Sequence, residues 1–148
     1  MVARLRPRPA SQLVSGKHIL AYSCSVREQG AADGKILGVL GILFNWESLA
    51  QTIVESTPLT PEEKTATRVC IIDRNGTVLA DTRREILTGR VPLESLQPII
   101  RDRKGYRLLD SHEGPQIAAL AVAPGFETYS TGWYGLIIQN SPSARKSS

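Results

Sequence analysis

Within residues 34–54, an apolar segment interrupted by glycines runs without a loop into an amphipathic pattern. Residues 36–44 are apolar or glycine throughout, which predicts a buried strand. From Trp46 onwards apolar residues recur at helical spacing, and Asn45 precedes them as a suitable N-cap. We therefore predict a strand that leads directly into a helix over residues 46–54.

The segment upstream of this strand alternates with a period of two. Residues 18–26 place every second side chain on one face, which predicts a strand. The Asp33-Gly34 pair supplies turn chemistry between the two strands, so a hairpin with residues 36–44 is expected. Because glycines weaken a strand unless something packs close to them, Gly38 and Gly41 predict the near approach of a helix or a ligand.

Two signals for local structure follow. Residues 60–63, Thr-Pro-Glu-Glu, have the spacing of a capping box with proline at the first helical position, and they predict a short helix. Residues 68–73 and 77–82 are predicted strands joined across Arg74-Asn75-Gly76, where Asn-Gly would supply the positive φ angles of a tight hairpin. Asp73 is expected to cap that turn.

The remaining pattern is a broken helix followed by three strands. Residues 92–101 contain Leu93, Leu96, Ile99 and Ile100 on one helical face, although Pro98 interrupts the segment, so we predict a broken helix that covers a pocket. The last predicted strands are residues 106–110, 116–123 and 133–139. The order of elements predicts an α+β architecture in which an antiparallel sheet carries helices on one face.

Charge changes the functional picture. The 148 residues carry a formal net charge of +4 from 18 basic and 14 acidic side chains. Six of the basic residues lie near the two ends, which contain no acid: Arg4, Arg6, Arg8, Lys17, Arg145 and Lys146. Twelve basic residues then face all 14 acidic ones, so residues 18–139 have a net charge of −2. A groove for phosphates, and hence a nucleic-acid partner, is not expected.

The ends of the chain differ from its centre. Residues 1–16 and 141–148 are polar and aperiodic, and we predict flexible tails around one domain at residues 17–140. The longest apolar run has nine residues, whereas a bilayer span needs about 20, so no membrane helix is predicted. The first nine residues lack the apolar stretch of a signal peptide, and the chain as written is expected in the cytoplasm.

Catalytic and metal-binding motifs are sparse. His18 and His112 are the two histidines, and neither lies in a recognisable nucleophile or zinc-ligand spacing. No glycine-rich phosphate loop occurs. Cys24 and Cys70 sit in apolar strand patterns and are expected to be buried thiols, although a disulfide between them stays open. We predict no enzyme activity, no cofactor and no metal.

The sequence resembles the Cache sensor domains of bacterial chemoreceptors and sensor kinases over residues 18–139. In double Cache domains the membrane-proximal lobe opens with V-x-x-x-D-x-x-G-x-V-L. Residues that match this opening are Val69, Asp73, Gly76, Val78 and Leu79. Further matching strings are KGYRLLD, QIAALAVAPGFETY and GWYGLIIQ.

This resemblance implies a PAS-like sheet and two readings of the first part of the chain. Residues 17–56 correspond either to the last hairpin and exit helix of a preceding lobe or to the beginning of one self-contained domain. If the chain is a fragment of a membrane receptor, its expected location becomes the periplasm. The amino-acid-sensing members carry an aspartate shortly after the matching glycine-containing strand, and Leu43 stands at about that place.

Four residues are candidate ligand contacts. PAS-like sensors bind ligands in mostly apolar pockets that contain a few polar groups. Tyr106, Tyr129 and Trp133 are predicted to line such a pocket beside the broken helix and the loop 124–132, and the alternative is that they complete the core. Arg68 could hold a carboxylate with its planar guanidinium, the alternative being a solvated arginine.

The resemblance therefore implies a small-molecule-binding sensor module of a bacterial signal-transduction or chemotaxis protein. A ligand, such as a carboxylate metabolite, would signal its presence by a conformational shift. A second copy of the chain, in a homodimer, is the other expected partner. The alternatives are a ligand-free interaction or dimerisation scaffold of PAS-like fold and a truncated product with no role of its own.

Overall fold

The computed structural model describes residues 18–111, 114–125 and 130–141. The helices and strands in chain order are β1 (Ile19–Arg27), β2 (Ile36–Asn45), α1 (Trp46–Glu55), α2 (Pro61–Ala66), β3 (Thr67–Ile72), β4 (Val78–Asp81), α3 (Gln97–Arg101), β5 (Lys104–Ser111), β6 (Gly114–Val122) and β7 (Tyr134–Asn140). Short 3-10 turns occur at Glu28–Gly30 and Glu94–Leu96. The predicted α+β architecture with antiparallel sheets is confirmed.

The chain divides into two compact units. The first, which we call the hairpin unit, comprises Met1–Leu49 with Pro124–Thr131. The second, which we call the sheet unit, comprises Ala50–Ala123 with Gly132–Ser148. Each unit has a sheet of its own within the described residues.

The hairpin unit contains the predicted antiparallel pair β1 and β2, which are in regular register from Ile19 opposite Asn45 to Val26 opposite Gly38. The prediction that residues 36–44 form a buried strand is half wrong, because the strand forms but its side chains are exposed. In the described residues β2 has one neighbouring strand. A sheet of two strands is too small to bury its apolar side chains by itself.

No helix approaches the glycines of β2 in the described structure, so this half of the prediction is wrong. A Cβ built at Gly38 meets no heavy atom of the described structure within 4 Å. One built at Gly41 meets only the Tyr22 carbonyl oxygen, at 3.9 Å. The two positions therefore face open space rather than a helix.

The sheet unit is built on five antiparallel strands in the order β4-β3-β7-β6-β5. One face of this sheet carries the core, to which the broken helix contributes Leu96 and Ile99. The other buried members of that core are Cys70, Ile72, Val78, Val91, Ala118, Leu120 and Leu136. The predicted apolar face of residues 92–101 is confirmed, because Leu93 and Ile100 pack against the same cluster.

The turn between β3 and β4 forms where the sequence predicts it, with a different conformation. The carboxylate of Asp73 accepts hydrogen bonds from the backbone N–H groups of Asn75 and Thr77, each at 2.8 Å, so the predicted cap is confirmed. Gly76 has a positive φ of 79°, but Asn75 does not. The turn is therefore centred on Arg74-Asn75. Separately, the register of β3 against β4 shifts between Ile71 and Ile72.

The segment after β4 closes over this turn. The Val91 N–H donates to the Gly76 carbonyl at 2.8 Å, and a Cβ at Gly76 would lie 2.2 Å from the Val91 carbonyl oxygen. Both the positive φ and this close approach require glycine at position 76.

The helices α1 and α2 have the predicted N-terminal signals. At α2 the Glu63 N–H donates to Thr60 Oγ1 at 3.2 Å, while the Thr60 N–H donates to the Glu63 carboxylate at 2.8 Å. The predicted capping box is thus confirmed. At α1 the Ser48 N–H donates to Asn45 Oδ1 at 3.3 Å. None of the helices in the described ranges is long and apolar enough to cross a membrane.

Candidate functional site

A cleft of about 500 Å³ lies in the sheet unit where the end of α1, the connection to α2, and the strand β3 meet. Its lining combines apolar and polar side chains: Val54, Glu55, Thr57, Leu59, Lys64, Thr67, Val69 and Thr82. On β3, Thr67 and Val69 alternate with the core residue Cys70, so they belong to the face of the sheet opposite the core. This size and composition are typical of small-molecule sites.

Three hydrogen-bond donors face this cleft. The Lys64 ammonium makes no ion pair or hydrogen bond with any described residue. Thr67 Oγ1 accepts a hydrogen bond from the Gln139 side-chain amide at 3.2 Å, and Thr82 Oγ1 accepts one from the Val69 N–H at 3.1 Å. Because each hydroxyl acts as an acceptor in these bonds, its own hydrogen can be donated to a ligand.

One acid, Glu55, also lines the cleft, and its carboxylate already has protein partners. Glu55 Oε1 accepts a hydrogen bond from the Gln51 side-chain amide at 2.6 Å and lies 3.4 Å from Arg84 Nη2. The site therefore offers a cation and hydroxyl donors to a bound molecule, with one carboxylate balanced by its own partners. Such an arrangement suits an anionic ligand that has an apolar part.

Arg68, a predicted ligand contact, occupies an ion-pair cluster on the core face of the sheet. Its Nε donates to both carboxylate oxygens of Asp81, at 3.2 and 3.1 Å, and its Nη2 bonds to Glu85 at 2.8 Å. The Asp81 side chain is fully buried and also accepts the Arg83 N–H at 2.9 Å. A bidentate, charge-assisted pair of this kind is strong.

The cluster changes the acidity of its neighbours. The hydrogen bond to Asp81 is the main reason why the pKa of Arg68 is raised above its ordinary value. Burial raises the pKa of the Cys70 thiol to about 12, and the nearby Asp81 charge adds to this effect. Cys70 is a buried free thiol, as predicted, whereas Cys24 is also free but only partly buried. A buried, neutral thiol of this kind is unreactive.

Among the described residues, the predicted ligand contacts Arg68 and Tyr106 lie apart in the sheet. Tyr106 lies on the edge strand β5 with 74% of its surface exposed, on the opposite face from Leu109, which packs on the core. Trp133 precedes β7, and its carbonyl accepts the Ala123 N–H at 2.9 Å. Two strands separate Arg68 on β3 from Tyr106 on β5. Tyr129 lies outside the described residues.

The hairpin unit has an apolar cleft of about 350 Å³. It is lined by Leu20, Tyr22, Ile42, Phe44, Trp46 and Leu49, and the rings of Tyr22 and Phe44 meet edge to face at 5.1 Å. With so few polar groups, this cleft offers less recognition chemistry than the cleft of the sheet unit. No group of three or more potential metal-binding side chains occurs among the described residues.

Sequence reasoning missed the residues that line the larger cleft. Lys64 follows a recognisable capping box, but the local pattern predicts only an exposed helical lysine. Thr67 and Thr82 are 15 positions apart, and only the pairing of β3 with β4 brings both to one cleft. A signal was present in the period of two along β3, which separates Thr67 and Val69 from Cys70.

No protein-family model matches the sequence. A search of curated proteins finds no match. Solved structures do match in fold. The ligand-binding domain of Campylobacter jejuni chemoreceptor Tlp3, solved with L-norvaline, is 18% identical with a TM-score of 0.59, and the match covers 97% of this chain and 53% of that one.

Two further solved structures share the fold. An extracellular domain described as that of a histidine kinase, rpHK1S-Z16, is 16% identical with a TM-score of 0.63, and the match covers 95% of this chain and 55% of that one. The ligand-binding domain of the Pseudomonas aeruginosa PAO1 amino acid chemoreceptor PctC, solved with GABA, is 18% identical with a TM-score of 0.58. That match covers 85% of this chain and 50% of that one.

The chain spans about half the length of the solved domains that it matches. At these identities the similarity is one of fold, and it extends over nearly the whole chain. The chain therefore shares the fold of about half of chemoreceptor ligand-binding domains and of a histidine-kinase extracellular domain, in agreement with the predicted resemblance to Cache sensor domains.

Proposed function

We propose that the chain is a small-molecule-binding sensor module of a bacterial signal-transduction or chemotaxis protein, and that the cleft of the sheet unit holds an organic acid. The observation that carries this proposal is the convergence of Lys64, Thr67 and Thr82 in one cleft that Val54, Leu59 and Val69 also line. The ammonium would pair with the ligand carboxylate, and the two hydroxyls would donate hydrogen bonds to it. The shared fold with receptor ligand-binding domains supports a sensor role.

Occupancy would be transmitted through the elements that line the cleft. Val54 and Glu55 come from the last turn of α1, and Lys64 comes from α2, whereas Thr67 and Val69 belong to the sheet. A ligand that binds one arrangement of these helices on β3 more tightly than another shifts the population toward that arrangement. The broken segment that includes α3 is the second element that we expect to respond.

A thermal-shift screen of the purified chain against small organic acids and their uncharged amides tests the proposal. A ligand at 100 times its Kd adds about 2.7 kcal/mol, which raises the Tm of a domain of this size by roughly 5 to 10 °C. The acid should stabilise the protein and its amide should not. Lys64→Gln should remove the shift, whereas Glu62→Gln, an exposed change on the same helix, should retain it.

The predicted ligand contacts at Arg68, Tyr106, Tyr129 and Trp133 can be examined in the same screen. Loss of the shift in Tyr106→Ala or Tyr129→Ala, with Lys64→Gln unaffected, would move the site away from the cleft. Stabilisation by an acid that survives all of these changes would contradict both sites.

A ligand-free interaction scaffold is the second candidate function, and the exposed apolar strand β2 favours it. A cooperatively folded protein that no compound in the screen stabilises would support the scaffold and contradict the sensor. For the location of the module we propose the periplasm, since a matched solved structure is an extracellular domain.

A further inference from the structure

A glutamate stands at the end of the helix that borders the cleft of the sheet unit. Glu55 is the last residue of α1, and it lines the cleft together with the preceding Val54. The last turn of α1 contains no basic residue. Because the carbonyl end of a helix carries partial negative charge, an acid at this position is unfavourable for the helix. Helix stability therefore gives no reason for a carboxylate at position 55.

The Glu55 carboxylate is held through one of its two oxygens. The Gln51 side-chain amide donates to Oε1 at 2.6 Å, and Arg84 Nη2 lies 3.4 Å from the same atom. Oε2 accepts no hydrogen bond from the residues that the structure describes. Both members of the ion pair are more than half exposed, so the pairing with Arg84 offsets the charge of Glu55 only in part.

The turn that carries Arg84 is anchored to the sheet. Arg84 has a positive φ of 62°, which is uncommon for a residue other than glycine, and its N–H donates to the Asp81 carbonyl at 3.0 Å. In the same turn the Thr82 N–H donates to the Val69 carbonyl at 3.0 Å. The guanidinium that pairs with Glu55 and the Thr82 hydroxyl of the cleft are thus carried by one anchored turn.

The charges around the cleft suit a ligand with one negative charge. Lys64 supplies a cation that has no partner among the described residues. A second carboxylate on the ligand would find no other cation in the described lining, and it would lie near Glu55 and the negative end of α1. Like charges repel strongly where water is partly excluded.

We propose that Glu55 is a specificity-determining residue of the cleft and that it restricts the ligand to acids with a single carboxylate. This inference rests on the proposed binding of an organic acid in the same cleft. The charge of Glu55 repels a second carboxylate, and its pairing occupies Arg84, the guanidinium that could otherwise bind one. A dicarboxylate should therefore bind about tenfold more weakly than a monocarboxylate of the same length.

Isothermal titration calorimetry with matched acids tests this specificity. The pairs butyrate and succinate, pentanoate and glutarate, and hexanoate and adipate are compared at constant ionic strength and pH 8, where every carboxyl group is ionised. The unmodified chain should bind the monocarboxylate of a pair about tenfold more tightly. Glu55→Gln removes the charge and releases Arg84, so the affinity for the dicarboxylate should rise by about tenfold and that for the monocarboxylate by less.

Two further variants identify the cause of the change. Glu62→Gln alters the net charge equally at an exposed position of α2 outside the lining of the cleft, and it should keep the preference for the monocarboxylate. The double variant Glu55→Gln, Arg84→Gln should lose most of the dicarboxylate affinity that the single change gains, because Arg84 is the new partner of the second carboxylate.

The outcomes separate this inference from the proposed function. A dicarboxylate that binds the unmodified chain as tightly as its monocarboxylate, or a preference that Glu55→Gln leaves unchanged, would overturn the role of Glu55. The cleft would still be the site if Lys64→Gln abolished that binding. If none of these acids binds the unmodified chain or Glu55→Gln, the proposed organic-acid site is wrong, and the inference about Glu55 is wrong with it.

Discussion

The two sheets of the described residues differ in how far their apolar side chains are buried. The strand β2 of the hairpin unit consists of apolar residues and glycines up to its last residue, yet its large side chains are exposed. The strands β3 and β7 of the sheet unit carry more polar residues, yet Cys70, Ile72 and Leu136 are buried. Burial therefore follows the number of neighbouring strands and the presence of a covering layer, not the apolar content of a strand.

The sheet unit also buries a charged side chain, which the hairpin unit could not do. Asp81 is buried beside the core because Arg68 and the Arg83 N–H satisfy its carboxylate. In the hairpin unit a similar pair would remain solvated and contribute little. The comparison predicts that single changes have large effects in the sheet unit and small effects in the hairpin unit.

The largest expected effect comes from Arg68→Met. Removal of the guanidinium leaves the fully buried Asp81 carboxylate without its cation, which should lower the free energy of unfolding by about 3 to 5 kcal/mol. Urea denaturation in a Trp46→Phe background measures this, because the remaining tryptophan, Trp133, belongs to the sheet unit.

The control for this change is Glu85→Gln. The Glu85 side chain is half exposed, and its pairing with the same arginine should contribute less than about 1 kcal/mol. Equal losses of unfolding free energy in the two variants would contradict the assignment of Asp81 as the main stabilising partner of Arg68.

The second prediction compares leucines from the two units. Leu96→Ala removes a buried side chain from the core and should cost about 2 to 5 kcal/mol. Leu40→Ala changes an exposed side chain and should alter the free energy of unfolding by no more than about 0.5 kcal/mol at low protein concentration. A loss at Leu40 that matches the loss at Leu96 would show that the hairpin is covered in the monomer.

The smallest expected effect concerns pH. The pKa of Cys70 rises from its ordinary value near 9.0 to about 12 on folding, chiefly through burial. The unfolded chain therefore loses this proton first, and stability that is fully present below pH 9 falls as the pH rises toward 12. At pH 10 the loss should be about 1 kcal/mol relative to pH 8.

Other groups titrate in the same range, so the measurement is a difference. Urea denaturation of the parent and of Cys70→Ala at pH 8 and pH 10 isolates the contribution of the thiol. An equal pH dependence in both proteins would mean that Cys70 does not retain its proton in the folded state.

The local elements of the fold could be predicted from the sequence. The capping box at Thr60 and the turn capped by Asp73 formed because each depends on contacts within four residues. The broken helix also formed as predicted, since the spacing of its apolar residues defines one face. By contrast, the conformation of Asn75 was predicted wrongly. The turn has one residue more than the tight hairpin that the sequence predicts, and of its residues only Gly76 has a positive φ.

The candidate site was less accessible to sequence reasoning. Arg68 was recognised as a guanidinium of interest, but its partners Asp81 and Glu85 lie 13 and 17 positions away, and nothing in the local pattern joins them. Lys64 had no distinguishing feature in the sequence. Of the aromatic residues predicted at one pocket, Tyr106 lies on an exposed edge strand, two strands away from Arg68.

The sequence by itself determined where strands, turns and helices form, because the period of apolar residues and the capping and turn signals act over a few positions. The tertiary structure decided which strands are neighbours and therefore which apolar residues are buried. It also decided which polar groups meet, as for Lys64, Thr67 and Thr82 at the cleft. These outcomes depend on contacts between distant segments. An apolar strand with a neighbour on each side becomes part of the core, whereas the same strand with only one neighbour has an open edge.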